Sequence, residues 1–110
     1  GYEAFPIRDA SVPPWQEVGL YHRETGTLVV PEAVGTASYF CAPGEPLGVH
    51  PMLRPFPPRD ALKGFAPERV LVGHGAGVTD DATEALGDAL DGARRNLPAA
   101  YGRAFRELLS

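Results

Sequence analysis

The apolar residues of the first third of the chain fall in short runs rich in β-formers. Glu17-Val18-Gly19-Leu20-Tyr21-His22 and Thr27-Leu28-Val29-Val30 are two such runs, and Arg23-Glu24-Thr25-Gly26 between them holds the glycine expected of a hairpin loop. Glu3 to Arg8 reads as an edge strand, because Pro6 cannot donate a ladder hydrogen bond. Pro13 and Pro14 then force a turn. From residue 31 to residue 58 prolines stand at 31, 43, 46, 51, 55, 57 and 58, a density that excludes a regular helix and predicts an ordered excursion across the surface.

The pattern changes period after the excursion. Pro57 to Lys63 suits a short helix with its prolines at the start, closed by Gly64. Arg69-Val70-Leu71-Val72 reads as a buried strand running into the turn Gly73-His74-Gly75. A long helix follows. Asp81 with Glu84 forms a capping-box-like start, and Ala82, Ala85, Leu86, Ala89, Leu90, Ala93 and Leu97 keep one apolar stripe. Pro98 opens a last helix whose apolar face is Tyr101, Phe105, Leu108 and Leu109.

Composition narrows the function classes. The formal net charge is -4 and no run of Lys or Arg forms a basic face, so nucleic acid is not an expected partner. Cys41 is the single cysteine, which excludes an intrachain disulfide. No stretch is long and apolar enough to span a bilayer and the N-terminus lacks a signal pattern, so the expectation is no membrane and a cytoplasmic location.

The order of hairpin, excursion, short helix, strand, Gly-His-Gly turn and long helix resembles the C-terminal half of the metallo-β-lactamase superfamily. The matching stretches are Thr27-Leu28-Val29-Val30-Pro31-Glu32-Ala33 and Arg69-Val70-Leu71-Val72-Gly73-His74-Gly75, and the resemblance covers about residues 17 to 97. It implies an α/β (α+β) fold, with residues 1–110 forming one domain that is half of an αββα sandwich: a short mixed sheet covered by C-terminal helices. It also implies metal-ligand roles for His74 and Glu32 and zinc-dependent hydrolysis of an ester, amide or phosphoester. Glu32 departs from the family, which has Gly-Asp where this chain has Pro31-Glu32.

The family's His-x-His-x-Asp-His motif is missing from the sequence. Zinc is therefore expected only with additional ligands, since a catalytic zinc takes about three protein ligands plus water. Two functions follow from this: the C-terminal portion of a zinc hydrolase with an incomplete site, or a non-catalytic binding or assembly module. The expected partner is a missing N-terminal half or a second copy in a homo-oligomer. Beside these readings stand simpler ones, with Gly73-His74-Gly75 a plain strand-to-helix turn and Glu32 an ordinary surface carboxylate. No residue is assigned a catalytic role. His22 and His50 read as solvated or structural, and Cys41 as a small packing group.

Overall fold

A computed structural model describes residues 1–109, which form a mixed α/β domain. Strands β1 (Tyr2–Ser11), β2 (Pro14–His22), β3 (Thr27–Val30) and β6 (Arg69–Val72) make one sheet in the order β1-β2-β3-β6. β1, β2 and β3 are antiparallel neighbours, whereas β6 joins β3 in parallel after a long crossover. The crossover holds β4 (Val34–Gly35), its antiparallel partner β5 (Gly48–Val49) and helix α1 (Arg59–Leu62). Helices α2 (Ala82–Gly92) and α3 (Leu97–Leu109) end the chain. No described helix is long and apolar enough to cross a membrane.

Alternation decides which side of the sheet is covered. Leu28, Val30 and Val70 point inward and are wholly buried, and Ile7 joins them where a bulge between Pro6 and Arg8 interrupts the ladder. Against them pack Ala82, Ala85, Leu86, Ala89 and Leu90 of α2. Pro6 sits on the edge strand β1, where the missing donor costs least. β1 and β2 meet in a turn with a cis Val12–Pro13 peptide, and both are longer than the runs seen in the sequence.

Three expectations need correction. The proline-rich excursion does not cross the surface: Ala33, Val34, Phe40, Cys41, Ala42, Leu47, Val49 and Leu53 are all buried and several belong to the core. Proline density forbids helix and central strand but says nothing about exposure. Asp81 stands before α2 in the left-handed conformation with φ 51, and its side chain makes no cap hydrogen bond, so no capping box forms. The α2 stripe stops short of Leu97, because the helix ends at Gly92 and a turn carries the chain into α3. Pro98 cannot extend α2, since its ring would collide with the carbonyl four residues back.

The last helix forms as the sequence predicts, yet its apolar face has no cover. Phe105, Leu108 and Leu109 are exposed and only Ala100 of α3 is buried. The second, unpartnered surface lies on the outer face of the sheet. The pairings Ala4↔Leu20, Leu20↔Val29 and Val29↔Leu71 line up one apolar row across all four strands, with Pro6↔Val18 beside it.

Burial of Leu90, only 3% exposed in the α2 face, sets a stability expectation. Leu90→Ala should destabilise the fold by about 2–4 kcal/mol, measured by urea unfolding at constant m-value. A loss below about 0.5 kcal/mol, the range of a surface site, would place Leu90 outside the core.

Candidate functional site

The parallel register of β3 and β6 brings His74 and Glu32 together. Val30 pairs with Val72, and the ladder continues through a hydrogen bond from the Gly73 N–H to the Pro31 carbonyl at 3.0 Å. Two residues past each strand end therefore fall side by side. His74 Nε2 lies 2.6 Å from Glu32 Oε2 although the two are 42 positions apart. The site sits beyond the carboxyl ends of adjacent parallel strands, the usual place for ligand sites in open α/β sheets.

Backbone contacts hold each partner. The His74 carbonyl accepts the N–H groups of Thr36 at 2.9 Å and Ala37 at 3.0 Å. Gly73 and Gly75 are required for this fit. A Cβ on Gly73 would come within 2.5 Å of the Pro31 oxygen, and Gly75 has φ +118 with Thr36 packed where its Cβ would be. Glu32 is fixed from behind by Glu17, a buried carboxylate on the inward face of β2. Glu17 Oε2 accepts the N–H of Glu32 at 2.8 Å and of Ala33 at 3.0 Å, while its Oε1 accepts the Trp15 indole N–H at 2.8 Å. Both oxygens of a buried carboxylate need such partners, and these three donors serve both.

His74 has a second side-chain partner. The Tyr39 hydroxyl lies 2.8 Å from His74 Nδ1, so both ring nitrogens are engaged. A carboxylate only accepts, which makes Nε2–H the donor to Glu32; in the neutral imidazole Nδ1 is then left to accept the phenolic proton. Phe40 stacks on the imidazole at 5.3 Å with 25° between the planes. His50 meets Phe40 and Trp15 edge-on at 5.3 and 4.7 Å, and its Nδ1 accepts the Met52 N–H at 3.0 Å. His50 is thus a member of the cluster, whereas His22 bonds Thr25 in the hairpin loop. Cys41 is buried and its thiol points at the Gly35 carbonyl, with burial raising its pKa, so it packs as an inert group.

The donor set as it stands does not fit a resident zinc. Among the described residues no group of three or more His, Cys, Asp or Glu side chains is placed to hold a metal ion. His74 and Glu32 supply two donors, and each lone pair or proton facing the other is already engaged. What the arrangement can do unaided is pass a proton between Tyr39 and the imidazole while Glu32 steadies the charge. Sequence reading singled out His74 and Glu32, weighed His50 as a structural or pocket-facing residue, and missed Tyr39 and Glu17. Glu17 carried a signal, a charge at an inward position of a strand. Tyr39 carried none, lying in the irregular crossover.

No family model matches the chain, and no curated protein or solved structure matches it either.

Besides Cys41, His50 and Glu45 titrate away from their ordinary values. Burial lowers the His50 pKa from 6.5; neighbouring Glu32 opposes the shift and His74 adds to it. Burial alone would raise Glu45, but hydrogen bonds from Arg54, Asn96 and the Ala42 N–H outweigh it and hold the pKa below 4.5. Both shifts mean that the unfolded chain binds protons first, so stability is full above the ordinary value and falls with pH. Thermal unfolding should show a first loss as pH drops below about 6.5 and a second below about 4.5. His50→Gln should remove the first step alone; a variant that keeps both would assign that step to another group.

Proposed function

We propose that this chain is the C-terminal portion of a metallo-β-lactamase-like hydrolase, with His74 and Glu32 forming one side of a site whose other groups come from residues outside these 110. The reading is carried by one observation, the convergence of His74 and Glu32 at 2.6 Å from the ends of adjacent parallel strands. The mixed four-stranded sheet with C-terminal helices supports it, and so does the Gly-His-Gly turn with its steric need for both glycines. Residues of this chain orient the pair: Glu17 fixes the Glu32 backbone and Phe40 fixes the plane of the imidazole. When zinc is bound in a completed site, it would supply the activation of water that hydrolysis needs.

Zinc titration followed by NMR tests this reading. Two protein ligands give weak binding, so millimolar zinc should shift the His74 and Glu32 signals selectively and dialysis should reverse the shift. Zinc retained one-to-one through dialysis and lost in His74→Ala would show a complete site and overturn the reading. Millimolar zinc that leaves His74 unmoved would overturn it from the other side.

A second reading, a binding or assembly module, is favoured by the open sheet face. Val18 is 56%, Leu20 37% and Leu71 39% exposed, and they lie in one patch with Val29 and Pro6. Apolar patches beyond a few hundred Å² are uncommon on soluble monomers and usually mark interfaces. A second copy would cover this face by stacking sheet on sheet. Light scattering at micromolar concentration should then report a dimer, and Val29→Asp should shift it to monomer. A chain that stays monomeric at every accessible concentration removes this reading.

A further inference from the structure

We propose that Tyr39, His74 and Glu32 form a nucleophilic relay that accepts acyl groups from esters with good leaving groups. This goes beyond the reading above, because it uses only residues of this chain. The geometry is that of an activated hydroxyl: hydroxyl oxygen to imidazole 2.8 Å, imidazole to carboxylate 2.6 Å. The hydrogen-bond directions also agree, with the phenol donating to Nδ1 and Nε2–H donating to Glu32.

Order and access both suit the role. The imidazole plane is set by Phe40 and its backbone by Thr36 and Ala37, so the base cannot swing away. Tyr39 is 42% exposed and its hydrogen bond to His74 lies at the surface, within reach of a small ester from solvent. In the acylation step the Tyr39 oxygen bonds to the ester carbonyl carbon and its proton passes to His74 Nδ1. The bond from that carbon to the leaving oxygen breaks, and the alcohol departs with the proton from His74. Water then attacks the acyl-tyrosine, giving its proton to His74. The bond to the Tyr39 oxygen breaks, the phenol regains the proton, and a carboxylic acid is released.

The molecule contains its own control. Tyr101 is 41% exposed, nearly the same as Tyr39, but its hydroxyl donates to the Pro51 carbonyl and has no base. The experiment combines the initial rate of p-nitrophenol release from p-nitrophenyl acetate with peptide mapping of early-quenched samples. The expected result is more acetyl at Tyr39 than at Tyr101, with the initial rate reduced at least about tenfold in Tyr39→Phe and His74→Ala, below the usual 10²–10⁴-fold of a well-placed base. Glu32→Gln, which keeps the shape of the site, should lower the rate as well. An initial rate unchanged in Tyr39→Phe, or acetylation of Tyr39 no faster than of Tyr101, overturns the relay. Zinc response and acetyl transfer are separate readouts, so the relay and the half-site reading fail independently.

Discussion

Arg54 is the residue on which the rest of the crossover depends. Its side chain is fully buried, and its guanidinium pairs with the nearly buried Glu45. It also donates to the Phe40 carbonyl at 2.8 Å and to the Ala93 carbonyl at 3.2 Å, beyond the end of α2. Asn96 closes the network by donating to Glu45 at 3.0 Å. One charged group thus ties the irregular segment to the turn between α2 and α3. Removing one partner of such a pair costs about 3–5 kcal/mol, while replacing the whole pair with apolar groups is often neutral. The Arg54 Nε has no partner among the described residues, which adds a desolvation cost. The network therefore acts mainly by selecting one arrangement of a segment whose own ladder is only the two-residue β4–β5 pair.

That selection reaches the site through Phe40. The same residue whose carbonyl Arg54 holds lays its ring against His74 and meets His50 edge-on. Gly48 passes so close to the Phe40 carbonyl that an added Cβ would lie 2.2 Å away. The imidazole is thus oriented by a chain of contacts running from α2 through Arg54 and Phe40. Glu17 does the same for Glu32 from the sheet side. Two separate supports converge on one hydrogen bond between side chains from distant parts of the sequence, which is how a half-exposed pair keeps a fixed geometry.

Local patterns were legible in the sequence and long-range pairings were not. The β2–β3 hairpin, β6, α2 and α3 follow from β-former runs, glycine in the loop and the spacing of apolar residues in helices. The meeting of His74 and Glu32 was expected only through a family resemblance, because nothing local says that β6 joins β3 in parallel. Tyr39 was illegible for a stronger reason. Its position depends on the turn before Phe40 and on Arg54, neither of which has a periodic signature. Asp81 misled because its sequence context fits a cap while its backbone is left-handed, a conformation Asp tolerates better than most residues. The apolar side of α3 was legible as a face but not as an exposed one, since periodicity shows which residues align and never what covers them.

The two uncovered surfaces bear on how the site works. Packing of α2 and the crossover saturates one face of the sheet, so the outer row from Ala4 to Leu71 has no element of this chain left to cover it. The His74–Glu32 pair lies beyond the carboxyl ends of β3 and β6, the two strands that carry Val29 and Leu71 of that row. Anything that docks on the outer face therefore approaches the strand ends that position the pair. The same short parallel register that sets the pair at 2.6 Å also aligns Val29 with Leu71 in the apolar row, so one pairing of β3 with β6 fixes both features.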